Sequence, residues 1–238
     1  METAGYTTLT RQTGLLNEMQ VIANNIANAS TTGYRQEGLI FSEYVTGGEN
    51  APSVSMARTS AHIISMQQGA LTQTGGTYDF AIEGPGFFMI ETAEGERLTR
   101  AGSFSTSAEG TLVTPDGNRV LDAGGAPLFV PPDAAGFSVS ADGTISADGR
   151  PLGQLGLVQP VDPLDLVRES GVMFRAEGDL EPVENGKIVQ GFLENANVEP
   201  VLQITRMIEV QRAYELGQSF LDAENDRVRE ALRAMSRQ

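Results

Sequence analysis

A chain of 238 residues with 40% apolar content holds one large domain or two modest ones, but 6% aromatic residues and no tryptophan argue against a single large globule. A net charge of −15 leaves no basic surface for nucleic acid, and the absence of cysteine excludes disulfides and thiolate metal sites. No run of about 18 consecutive apolar residues occurs, so no membrane-spanning helix and no direct membrane insertion are expected.

The first predicted element is a helix over residues 7–28. Leu9, Gln12, Leu16, Met19, Ala23 and Ile26 advance in alternating steps of three and four, the period of a seam that meets another helix. The start of the chain (METAGYTTLTRQ) lacks the basic segment and apolar core of a cleavable secretory signal. Asn28 to Tyr34 (NASTTGY) clusters turn formers and ends the helix. Residues 35–77 show no sustained period and read as an extended linker, with a short strand near Leu39 to Val45 and a loop over Gly47 to Pro52.

From Tyr78 to Gln190 the texture changes to short apolar runs. Candidate strands are 78–82, 86–90, 97–99, 111–113, 119–121, 127–130, 137–139, 156–159, 172–174 and 187–190. Between them stand Glu94-Gly95, Glu109-Gly110, Asp116-Gly117, Asp142-Gly143, Asp148-Gly149 and Asn185-Gly186, which are hairpin turn signals. Residues 192–200 lead into a second long helix over 201–236, with Asn197 as a candidate cap and Pro200 in the first turn. Its seam runs Met207, Val210, Tyr214, Gly217, Leu221, Glu224, Val228, Ala231, Met235. At about 1.5 Å per residue that helix is about 54 Å long, too long for one face of a small domain.

The fold class is therefore α+β. Long N- and C-terminal helices pack together as a discontinuous helical domain (1–34 and 192–238), and the linker (35–77) leads to a central antiparallel β-rich domain (78–191). Two such ends either pair on their own body or find partners elsewhere. A two-helix unit buries few side chains and is marginal alone, so the ends are expected to be poorly ordered in a free monomer and helical on assembly. Charge placement fits. Residues 1–30 sum to −1 and residues 200–238 to zero, leaving −14 in residues 31–199. Near-neutral helices pack against their own kind while the acidic middle stays solvated.

Catalytic chemistry has little to stand on. His62 is the one histidine and lies in the linker. Carboxylate pairs such as Asp79 and Glu83 arise by chance among 31 acidic residues, and no segment has the alternating ligand pattern of a calcium loop. No catalytic residue, cofactor or metal is expected, and the chain reads as a non-enzyme.

Three stretches carry a family resemblance. Ala23-Asn24-Asn25-Ile26-Ala27-Asn28 with Ser30-Thr31-Thr32-Gly33-Tyr34 resembles the N-terminal signature of bacterial flagellar rod and hook proteins. Asp79 to Phe88 (DFAIEGPGFF) with Leu98 to Phe104 (LTRAGSF) resembles their central β motif, and Leu193 to Val198 (LENANV) with Met207 to Glu215 (MIEVQRAYE) their C-terminal motif. The resemblance implies a structural subunit of the periplasmic rod of the flagellar basal body, homo-oligomeric and transmitting torque from rotor to hook. Length and the opening through Phe41 to Val45 look most like a proximal rod subunit, with a distal rod subunit as the alternative. Its implied partners are copies of itself, other proximal and distal rod proteins, and the flagellar type III export apparatus, which would export it without cleavage. In such a tube the terminal helices would form the inner layer. Seams and motifs together nominate Leu9, Leu16, Met19, Asn24, Asn25, Ile26, Asn28, Asn195, Asn197, Ile204, Met207, Ile208, Gln211, Arg212, Tyr214, Leu221 and Val228 as subunit-interface residues. Two other classes remain open. One is an adhesin or fibre-tip module on a helical stalk, which Gly217 and Glu224 disfavour by breaking the heptads. The other is a peptidoglycan-acting enzyme, which needs paired carboxylates in a cleft.

Overall fold

The computed structural model describes residues 2–46, 54–131, 134, 136–183 and 186–236, and the side chains of all of these except 2–7, 41–46 and 54–60. The loop expected over Gly47 to Pro52 and the Asn185 half of one expected turn lie outside the described residues. The chain divides into two compact units. One comprises Met1–Ala27, Glu37–His62 and Glu199–Gln238, the other Asn28–Gln36 and Ile63–Val198.

In the first unit α1 (Glu2–Ala27) lies antiparallel to α2 (Pro200–Met235). Gln12 Nε2 donates to the Tyr214 carbonyl at 2.9 Å, and Asn25 meets Gln203 toward the other end of the pair. Two strands, β1 (Glu37–Thr46) and β2 (Val54–Ile64), pair as a two-stranded sheet. They occupy much of the stretch expected as an extended linker. β1 also lies against α1. Pro200 sits in the first turn of α2 as expected, but the residue before the helix is Glu199, which makes no side-chain capping bond. Asn197 is not the cap.

The seam of α1 is one residue away from the expected stripe. Gln12, Met19 and Ile26 are inward or half-buried, and Val21, Ile22 and Asn25 are buried, whereas Leu9, Leu16 and Ala23 are exposed. Residues 9, 16 and 23 repeat every seven and form a second apolar stripe about a quarter-turn from Leu15, Met19 and Ile22. Both stripes satisfy steps of three and four, so periodicity alone does not choose between them. On α2 the expected seam holds from Met207 to Glu224, while Val228, Ala231 and Met235 are exposed.

The second unit is antiparallel β. Its main sheet runs in the order 166–170, 173–176, 95–99, 87–92, 119–120, 112–113, 105–106, with 157–160 also pairing with 87–92 and 180–182 flanking it. Strands Ser138–Val139, Thr144–Ala147 and Arg150–Gln154 make a smaller sheet. Two further pairs, Phe80–Glu83 with Lys187–Gln190 and Leu71–Gln73 with Phe192–Glu194, join segments far apart in sequence. Phe80, Phe88, Ile90, Leu112 and Ile145 centre the larger core cluster, and Ile64, Phe87, Leu98 and Phe174 the smaller.

The expected turns at 94–95, 109–110, 116–117, 142–143 and 148–149 all fall between paired strands, and the glycine of each has positive φ. Asp148 and Gly149 both have positive φ, at 52° and 75°, and link Ala147 to its partner Arg150, a two-residue type I′ hairpin. The strand expected over 127–130 is absent. Only isolated bridges form there, at Leu121–Pro127 and Thr111–Phe129. Pro127 has no N–H for a ladder, so the segment cannot pair continuously. Conversely Arg150–Gln154 is a strand despite its proline and glycine, because it is the outer arm of a hairpin.

Candidate assembly interface

The helix pair leaves much apolar surface in water. On α1 Leu9 is 53% exposed and Leu16 43%. On α2 Val201, Leu202, Ile204, Ile208, Leu216, Phe220, Val228, Leu232 and Met235 are all exposed. A helix with apolar residues on several faces belongs in contact with more than one neighbour. The intramolecular seam is narrow and partly polar. Arg206 Nη2 meets Glu18 at 2.7 Å, and the hydrogen bond that the guanidinium donates to the Glu18 carboxylate raises the arginine pKa above its ordinary value.

The nominated residues fall into groups. Leu9, Leu16, Asn24, Ile204, Ile208, Gln211, Arg212 and Val228 are exposed. Met19, Ile26, Met207, Tyr214 and Leu221 are half-buried in the first unit. Asn25 is spent within the chain. Its amide accepts from the Glu37 N–H at 3.0 Å and donates to the Glu37 carbonyl at 2.8 Å, a peptide-like pairing at 1% exposure. Asn28, half-buried, takes the Thr31 hydroxyl at 3.2 Å in the turn that closes α1. Asn195 donates to Thr72 Oγ1. Asn197 accepts from the Gln36 N–H at 2.6 Å and donates to the Gln67 carbonyl at 2.7 Å. Asn25 and Asn197 therefore hold the chain's own backbone, the reverse of reaching out to a neighbouring subunit. Each bonds a segment that the linker reading leaves unstructured, so the amide partners were invisible in the sequence.

Within the second unit the three motif stretches converge, which their spacing does not reveal. Gly33 donates to the Glu194 carbonyl at 2.7 Å, and a Cβ on it would stand 2.3 Å from the Ala101 nitrogen. Gly102 is similarly pressed against the Phe80 carbonyl. Between them lies a buried charge cluster. Glu194 Oε1 meets Arg35 Nη2 at 3.0 Å and the Gly69 N–H at 2.9 Å, and Oε2 faces Arg100 Nη1 at 3.5 Å. All three side chains are at most 2% exposed. Two guanidiniums against one carboxylate leave a buried positive charge. Burial lowers the Arg100 pKa to about 10 and also lowers that of Arg35, the Glu194 carboxylate opposing in both. Arg168 stacks over the rings of Tyr34 and Phe174 and donates to the Arg35 carbonyl. A fixed, inward-turned cluster of this kind holds segments together and offers no reacting atom. In the first unit His62 Nδ1 pairs with Glu37. Among the described residues no group of three or more His, Asp or Glu is placed to hold a metal ion, and no described helix is long and apolar enough to cross a membrane.

Family profiles match along the chain in the order of the three motifs. "Flagella basal body rod protein" matches residues 3–35, "Flagellar hook protein FlgE/F/G D1 domain" 81–147, and "Flagellar basal body rod FlgEFG protein C-terminal" 189–234. The flagellar basal-body rod protein FlgF of Caulobacter vibrioides is 38% identical over 228 residues, covering 93% of both chains. The chain belongs to the flagellar basal-body rod protein family. FlgF of Mesorhizobium japonicum is likewise 38% identical, over 90% of each chain, and the rod protein FlgG of Bacillus subtilis 34% identical over 90% of this chain and 91% of its own. The resemblance read from the motifs is thus borne out, with FlgF the better match of the two. The first rod-family segment coincides with α1 and its closing turn, the last with Val189 through most of α2.

Proposed function

We propose that this chain is a structural subunit of the flagellar basal-body rod, placed in its proximal part and built into it through α1 and α2. Family membership supports the rod and the basal body as its place, and identity to FlgF-named relatives supports the proximal position. The observation that carries the mode of assembly is the apolar surface of the helix pair. Leu9, Leu16, Ile204, Ile208, Leu216 and Phe220 face water on a unit that already has its own seam. Burying each side chain is worth about 1.5–3 kcal/mol, so covering these faces with neighbouring subunits is strongly favourable. The terminal helices form one discontinuous assembly domain, the acidic β unit the outer cladding. Close helix packing resists shear, as transmitting torque from rotor to hook requires. Its partners are copies of itself, the other rod proteins and the flagellar export apparatus; it is not an enzyme.

The test is complementation. A motility-deficient strain lacking the gene should swim again with the wild-type chain, and an epitope-tagged copy should be found in purified basal bodies at the inner-membrane end of the rod. A tag at the hook end would favour the distal position, a reading kept open by the 34% identity to FlgG of Bacillus subtilis. Absence of the tag from basal bodies would refute the proposal.

A further inference from the structure

The groove between α1 and α2 holds about 350 Å³ and is lined by Thr8, Gln12, Leu15, Leu216, Gly217 and Phe220 among others. Its floor is unfinished. Gln12 is 94% buried by virtue of its 6% exposure and donates through Nε2 to Tyr214, yet its Oε1 is buried with no hydrogen-bond partner. Gly217 makes this posture possible, since a Cβ there would stand 2.2 Å from Gln12 Nε2. A buried amide acceptor without a donor is a cost that native interiors rarely leave standing. Around Gln12 the walls are apolar apart from Thr8 and Arg11, so an insert bringing aliphatic groups and one neutral donor suits them better than a carboxylate, which would be desolvated.

The chain carries such an insert on the other side of the same helix. Ile204, Ile208 and Gln211 follow at i, i+4 and i+7, and all three are exposed. At about 100° per residue they lie on the face of α2 opposite Ala213, Leu216 and Phe220. Gln211 Nε2 makes only a long, exposed bond to Glu215 at 3.3 Å, readily exchanged for a better one. We propose that the Ile204–Ile208–Gln211 ridge of a second copy of this chain fills the groove and that its Gln211 amide donates to Gln12 Oε1. Groove and ridge sit on opposite faces, so the contact is heterologous and passes from copy to copy in one rotational sense. The near-neutral charge of residues 200–238 lets two such helices approach without repulsion. The inference rests on the reading of the chain as a rod subunit and specifies which faces meet.

The chain has no cysteine, which makes the test direct. Full-length Ile208→Cys and Leu216→Cys variants are mixed in equal amounts and oxidised, and the same two genes are scored for restoring swimming. The contact predicts a mixed 208–216 disulfide well above either homodimer, because only the ridge–groove pair brings the two side chains within bonding reach. It also predicts about tenfold less product when Gln12→Ala is added to the Leu216→Cys chain, the loss expected of a central buried contact. Gly217→Ala, which displaces Gln12, should do the same, with helical circular dichroism checking that α2 persists. A mixture that cross-links no better than its components, or a yield indifferent to Gln12→Ala, overturns the contact. If those same variants swim, the rod assignment survives that result; failure of the wild-type chain to restore swimming would refute the assignment itself.

Discussion

Glu194 stands at 1% exposure between Arg35 and Arg100, and its removal leaves two guanidiniums in the interior with no counter-charge. Breaking a buried pair from one side costs about 3–5 kcal/mol, so Glu194→Gln should lower the unfolding free energy of the β unit by that much, read as a lower urea midpoint at unchanged slope. Adding Arg100→Met should recover part of the loss. Gly33 and Gly149 make a second residue-level comparison. Both have positive φ, at 71° and 75°, but a Cβ on Gly33 meets backbone at 2.3 Å and one on Gly149 meets nothing within 4 Å. Gly149→Ala should cost about 1–2 kcal/mol for conformation alone. Gly33→Ala should cost clearly more, read as a larger drop in melting temperature. The motif stretches holding Gly33, Arg100 and Glu194 stood out in the sequence, yet their roles did not. Positions 35, 100 and 194 have no spacing in common, and one glutamate among 31 acidic residues carries no mark of burial.

Among the elements, α1 shows where pattern reading stops. Its two stripes share one period, and only the position of α2 decides that Leu15 faces the groove while Leu16 faces water. The two leucines therefore separate folding from assembly. Leu15→Asp should reduce helical circular dichroism of the purified chain, because it puts a charge between the helices. Leu16→Asp should leave the spectrum unchanged and abolish swimming. Normal swimming by Leu16→Asp would remove the outer stripe from the interface. The hairpins were the legible part of the β unit because Asp-Gly and Glu-Gly pairs place positive φ where a strand must reverse. The strands at 71–73 and 192–194 were not, since each is three residues long and forms only against the other, remote in sequence.

At the scale of the whole molecule, the two units divide the labour that the charge distribution already suggested, with near-neutral ends and an acidic middle. Deleting residues 1–27 removes α1 and leaves every segment of the β unit in place. The truncated chain should keep its β-type circular dichroism and its cooperative melt but should be missing from purified basal bodies. Loss of the melt as well would mean that the β unit depends on the helices for its stability. A different consequence follows from where Glu194 lies along the chain. A polypeptide delivered amino terminus first through any pore brings out Arg35 and Arg100 long before their counter-ion, and the strand at 192–194 that pairs with 71–73 arrives equally late. Until about four-fifths of the length has emerged the two cations have nowhere dry to go. A chain delivered in that order would stay slack during passage and set only once the strand at 192–194 has arrived.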